Sequence, residues 1–202
     1  MILENDEIHY MQRSFRVLMD AFAHPGTVRE LPACEAPIGP TGLAAPFDTL
    51  VRLFVDQATT LWFVGDEATA QSVLLETRTK RAAVDAAAFV AVPASAGEKA
   101  CAQAVAQACG GTLVSPEKGA TVFVECSRLA AEPVQDLACL QVEGPGVKDA
   151  NRFYAASAQW AQARNGRGDE YPCGIEIVLF DAAGRVVAVP RSSQVTIVEG
   201  GR

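Results

Sequence analysis

The apolar positions of residues 6–23 recur at helical spacing. Ile8, Met11, Phe15, Leu18, Met19 and Phe22 follow an i, i+3/i+4, i+7 stripe, with Arg13, Arg16 and Asp20 mostly off it. Asp6 and Glu7 stand where a helix N-terminus favours negative charge. His24-Pro25-Gly26 ends the stripe, because proline cannot continue a helix and glycine permits the turn. Residues 27–31 suit a short strand, and the stretch Pro32–Pro40, with Pro37 between, reads as a loop. A second amphipathic stretch predicts a helix over about 42–56, with Leu43, Phe47, Leu50, Val51 and Phe54 on one side and Pro46 near its first turn. Thr60–Val64 is rich in strand formers. Asp66 then caps a helix running to about Arg78. Ala88–Val92 reads as a buried strand, and the Ala-rich Glu98–Cys109 as a helix ended by Gly110-Gly111.

The second half changes texture. Ala120–Cys126 and Cys139–Glu143 predict strands, and Gly144-Pro145-Gly146 a turn. Asp149–Arg164 reads as a helix carrying Phe153, Ala156, Trp160 and Ala163 on one stripe. Asn165-Gly166-Arg167-Gly168 looks like a flexible polar break. The clearest hairpin is Gly174–Phe180, the turn Asp181–Gly184, and Arg185–Val189; Gln194–Val198 is a last strand. Helices alternate with strands early and strands pair late. That order predicts one α/β domain over residues 1–202, a mixed β-sheet flanked by helices.

Composition narrows the function. Half of the 202 residues are hydrophobic and 20% charged, the reverse of a disordered chain. A net charge of −7 argues against a nucleic-acid partner and against a polybasic membrane binder. The six cysteines form no C-x-x-C pair and the histidines are His9 and His24, so free thiols and no metal site are expected. The acidic start Met-Ile-Leu-Glu-Asn-Asp-Glu does not resemble a signal peptide. The most apolar run, Ala82–Ala96, is broken by Asp85 and Pro93. A cytoplasmic protein is the expectation. A positive mean hydropathy, with Phe153 and Trp160 one face apart, points to self-association.

The hairpin holds the most informative chemistry. Ile175, Ile177 and Leu179 share one strand face; Glu176, Val178 and Phe180 share the other. A carboxylate among apolar neighbours is costly unless paired. Glu176 and Arg191 fall at the same open end of the hairpin, which predicts either a pair fixing a β-corner or direct contact with a ligand or partner. Ser192 and Ser193 beside the Arg191 guanidinium fit an anion site. Arg78, Lys80 and Arg81 place three cations in four positions, either a solvated face or a second anion contact. His24 reads as a helix C-terminal side chain facing terminal carbonyls, with a general base the alternative. No G-x-x-x-x-G-K-[ST] and no G-x-G-x-x-G occurs, which argues against a P-loop and a dinucleotide fold.

Several segments line up, in order and spacing, with one family. They are Ser14-Phe15-Arg16-x-Leu18-Met19-x-Ala21 leading to Pro25-Gly26, then Leu61-Trp62-Phe63, Gly119-Ala120-Thr121-Val122 and Gly144-Pro145-Gly146-Val147. Tyr171-Pro172-x-Gly174-Ile175-Glu176-Ile177-Val178-Leu179 and Val189-Pro190-Arg191-Ser192-Ser193 complete the set. Essentially the whole chain resembles the H-subunit family of the bacterial carbon–phosphorus lyase system. The resemblance implies a fold like that of pyridoxal-phosphate-dependent transferases without the cofactor. It implies a homodimer alone and a subunit of a larger complex with sister subunits. That complex, a transferase, displaces adenine from ATP with an alkylphosphonate, giving α-D-ribose 1-alkylphosphonate 5-triphosphate in phosphonate catabolism. ATP and a phosphonate are therefore the ligands it implies.

The chain departs from the family pattern at three places. Glu176 stands where the family more often has Asp, and Ser192-Ser193 where it has Thr-Thr. Glu76–Ala82 replaces a stretch in which the family often carries a histidine. Two other readings stand beside the resemblance: a non-catalytic scaffold subunit of that complex, and a stand-alone pyridoxal-phosphate-type enzyme. The last needs a Schiff-base lysine, and Lys80, Lys99, Lys118 and Lys148 all fall in charged, turn or helix-start settings.

Overall fold

The computed structural model describes residues 5–34 and 39–198; residues 35–38 of the expected Pro32–Pro40 loop lie outside the described residues. In chain order the elements are α1 (Asn5–Ala23), β1 (Arg29–Glu30), α2 (Ala45–Phe54), β2 (Thr60–Phe63), α3 (Glu67–Thr77), β3 (Lys80–Arg81), β4 (Phe89–Val92) and α4 (Gly97–Gln107). There follow β5 (Thr121–Cys126), β6 (Leu129–Ala130), β7 (Ala138–Glu143), β8 (Asn151–Ala155), α5 (Gln159–Asn165), β9 (Glu176–Asp181), β10 (Arg185–Val189) and β11 (Gln194–Val198). Most starts and stops follow from local chemistry. Asp66 accepts the Thr69 N–H at 2.8 Å and so caps α3, whose end Arg78 closes in a left-handed conformation at φ 58°. Pro46 sits in the first turn of α2, where its missing N–H costs nothing.

Seven strands form one sheet in the order β1-β10-β9-β5-β4-β2-β3. β3, β2, β4, β5 and β9 run parallel, and β10 and β1 add antiparallel strands at one edge. Both faces are covered, so each strand alternates between two cores. Val90, Val92, Val122, Val124, Ile177 and Leu179 pack toward α4, α5 and a second sheet. Ala91, Phe123, Val178 and Phe180 pack toward Leu18 of α1 and Phe47, Leu50 and Val51 of α2. The expected mixed sheet flanked by helices is present. The second sheet, antiparallel and ordered β11-β7-β8-β6, was not expected. β11 leaves the hairpin that precedes it and pairs with β7, Val195 opposite Val142.

The helix expected over Asp149–Arg164 is the main correction. Residues Asn151–Ala155 are the strand β8, and only Gln159–Asn165 is helical. Two periods overlap here: Phe153 and Ala155 are buried while Arg152 points out, a period of two that shares Phe153 with the helical stripe. Phe153 and Trp160 do meet, ring centroids 6.4 Å apart, but by packing strand against helix. Both rings are buried, so neither supplies the self-association surface expected of them. The stripe of α1 also divides. Leu18 is fully buried, whereas Ile8, Phe15 and Met19 are 42–48% exposed. No helix among the described residues is long and apolar enough to cross a membrane.

Candidate functional site

The hairpin register sets Ile177 opposite Val189, so Glu176 at the start of β9 faces the turn that follows β10. Arg191 sits in that turn and grips Glu176 twice. Its backbone N–H donates to Oε2 at 2.8 Å, and its Nε donates to Oε1 at 2.5 Å. Both side chains are about four-fifths buried, 19% and 20% exposed. Arg191 Nη1 also donates to the Pro116 carbonyl, which ties the single turn Pro116–Lys118 to the same corner. Such closeness requires bare backbone. A Cβ on Gly119 would stand 2.2 Å from the Gly174 carbonyl and 2.9 Å from Arg191 Nη1. Gly144, at φ +132°, would place a Cβ 3.0 Å from the Ser192 carbonyl. Motifs scattered over residues 119–193 therefore converge on one corner.

Beside the corner lies a cleft of about 630 Å³, whose walls include Arg164, Asp169, Tyr171, Arg191, Ser192 and Ser193. Sequence reasoning missed Arg164. It stands at the end of α5, and its Nη2 donates to the carbonyls of Pro190 at 3.0 Å and Ser193 at 2.8 Å, holding the Pro190–Ser193 turn. Its Nε is buried without a partner, and among the described residues it makes no ion pair. Burial pulls the Arg164 guanidinium below its ordinary value, with the charges of Glu176 and Asp169 acting in the opposite direction. The Ser193 Oγ is likewise buried and unpartnered. The Asn165–Gly168 stretch is not a loose break. Arg167 pairs with Asp169 and its Nη1 donates to the Val105 and Ala106 carbonyls at 2.6 and 3.0 Å, closing the last turn of α4.

The remaining sequence candidates lie elsewhere. Arg78, Lys80 and Arg81 are exposed at the far sheet edge, four strand spacings from β9, or about 19 Å. Arg81 forms a forked pair with Glu67 at 2.8 and 3.0 Å. The two sets of cations do not make one site. His24 is exposed and its Nδ1 lies 3.0 Å from both the Asp20 carbonyl and carboxylate, as a helix-terminal side chain should. All four lysines are exposed, none in an apolar pocket.

A smaller cavity of about 190 Å³ opens at the carboxyl ends of β4 and β5, lined by Glu98, Cys101, Glu125, Cys126 and Trp160. Burial pushes the Cys101 thiol up to about 11 and the Cys126 thiol higher still, so neither supplies a thiolate nucleophile. No group of three or more potential metal ligands gathers among the described residues.

The parallel sheet closed by an antiparallel hairpin, with an arginine-lined cleft at the hairpin's open end, defines a small α/β protein whose polar site is built by backbone turns. The family of bacterial phosphonate metabolism proteins (PhnH) matches residues 4–196. The chain belongs to that family. A Stutzerimonas stutzeri protein, described as a candidate C-P lyase subunit and named HtxG, is 28% identical over 191 residues, covering 92% of this chain and 86% of its own length.

Proposed function

We propose that the chain is a subunit of the carbon–phosphorus lyase complex, acting with sister subunits. In that complex ATP and an alkylphosphonate become α-D-ribose 1-alkylphosphonate 5-triphosphate and adenine. The observation that carries this reading is the family match over residues 4–196, supported by the name of the S. stutzeri relative. Four of the six family-like segments, those at Gly119, Gly144–Gly146, Tyr171–Glu176 and Pro190–Ser193, meet at the Glu176–Arg191 corner and its cleft, which adds weight, whereas Leu18 and Leu61 of the other two are core residues. On this reading Glu176, Arg191, Ser192 and Ser193 contact ligand or partner, and Arg78, Lys80 and Arg81 offer a separate cationic edge. The chain works in the cytoplasm, needs no cofactor, and forms a homodimer when alone. Its fold is a relative of the pyridoxal-phosphate-dependent transferases.

The second reading is a scaffold that assembles the complex without touching substrate. Exposed apolar side chains favour it: Ile8, Phe15 and Met19 on α1, and Leu113 and Val114 at a turn tip. Adenine release by purified sister subunits separates the two. If the chain is needed and a folded Arg191→Ala variant fails to replace it, the corner takes part. If every folded corner variant restores full release, the scaffold reading stands and the first is wrong in its site. The stand-alone pyridoxal enzyme has no buried lysine in its favour.

A further inference from the structure

Arg164 is the least satisfied charge in the cleft. Its Nη2 is used by three backbone carbonyls, those of Pro190, Arg191 and Ser193, but neutral acceptors do not offset a part-buried charge as an anion does. Every other arginine near the cleft has its carboxylate: Arg191 has Glu176 and Arg167 has Asp169. The same wall carries Ser193, 4% exposed, whose Oγ has no partner although a buried hydroxyl ordinarily finds one. Arg164 and Ser193 are adjacent, the Ser193 carbonyl lying 2.8 Å from Arg164 Nη2. Two neighbouring side chains short of partners, one cationic and one a hydroxyl donor, mark a place built for something absent from the polypeptide. The open volume of about 630 Å³ falls within the range of small-molecule sites.

We infer that this cleft is an anion subsite for a phosphoryl or phosphonyl group, anchored by Arg164 with Ser193 as hydroxyl donor and Arg191 at its rim. A tetrahedral oxyanion has three oxygens to accept from a fork of N–H groups and a hydroxyl at once, which a carboxylate or halide matches less well. The inference rests on the cleft being the functional site of the proposed reading, and it names the ligand class that this chain itself holds.

Titration of the purified full-length chain with methylphosphonate, inorganic phosphate and ATP, followed calorimetrically, tests it; acetate at matched ionic strength is the charge control. One saturable site for the phosphorus anions and none for acetate is expected. Ser193→Ala removes a hydroxyl that holds nothing in the fold, so the melting temperature should not fall. Affinity should nevertheless drop about tenfold, as for a lost hydrogen bond to a charged group. Arg164→Lys keeps the charge but loses the fork and should weaken binding by a similar factor or more. ATP binding well above phosphate would identify the nucleotide as the source of the group; methylphosphonate equal to or above phosphate would identify the phosphonate. No saturable binding, or binding that both variants leave unchanged, overturns the inference. Growth of a gene-deletion strain on methylphosphonate, restored by the wild-type chain, is scored in parallel. Growth without binding sinks the subsite and leaves the proposed function standing; binding without growth does the reverse.

Discussion

Replacing Arg191 with alanine removes both side-chain bonds of the corner, Nε to Glu176 and Nη1 to the Pro116 carbonyl. Glu176 keeps the Arg191 backbone N–H at 2.8 Å, so its carboxylate is not wholly stripped of donors. Exposed ion pairs are worth about 0–1 kcal/mol, and breaking a fully buried one costs about 3–5 kcal/mol. With the two side chains 19% and 20% exposed, the loss should fall between, at about 2–3 kcal/mol. For a domain of this size that corresponds to a drop of about 5–10 °C in melting temperature. Calorimetry on wild type, Arg191→Ala, Glu176→Gln and the double variant measures it, and the cycle should return a coupling of about 1–2 kcal/mol. Growth on a phosphonate adds the functional arm. A variant that melts early but supports growth at a temperature where it is folded marks the corner as structural only; one that is folded at the growth temperature and still cannot support growth marks it as a contact with ligand or partner. A variant that melts with the wild type and grows with it refutes the reasoning altogether.

Gly119→Ala should destabilise by at least about 1–3 kcal/mol in urea titration, because the added methyl meets the Gly174 carbonyl, which is backbone and cannot swing aside. Asp66 is held below its ordinary value of 3.8 by the Thr69 backbone N–H and hydroxyl, so its support of α3 is complete above 3.8 and fades as pH falls through the lower folded value. Asp66→Asn should therefore flatten the acid limb of a melting-temperature-versus-pH curve, and an unchanged limb would contradict the cap. Cys34 is exposed while burial pushes Cys101 and Cys126 up, so mass spectrometry after brief alkylation at neutral pH should find Cys34 labelled and the other two unlabelled until the chain is unfolded.

Local chemistry made much of this fold legible. The caps at Asp66, the proline stop after α1, and the hairpin turn at Asp181–Gly184 are each specified by neighbouring residues, and the structure has all of them. The pairing of Glu176 with Arg191 was readable for the same reason, since a hairpin joins residues whose separation is fixed by its turn. Non-local partners were not readable. β8 looked helical because Phe153 belongs to two periods at once, and it is pairing with β7 on one side and β6 on the other that selects the strand. β11 was visible as a strand, but nothing nearby says that it pairs with β7 rather than with β10. Arg164 escaped notice because it reaches the Pro190–Ser193 turn only after α5 has docked, and no sequence spacing links them.

Adenine release from ATP in the presence of methylphosphonate, measured on purified sister subunits with and without this chain, tests the central claim most directly. Release that requires the wild-type chain, and co-elution of the chain with those subunits on size exclusion, is the predicted result. Full release without the chain, together with its failure to co-elute, would contradict the assignment.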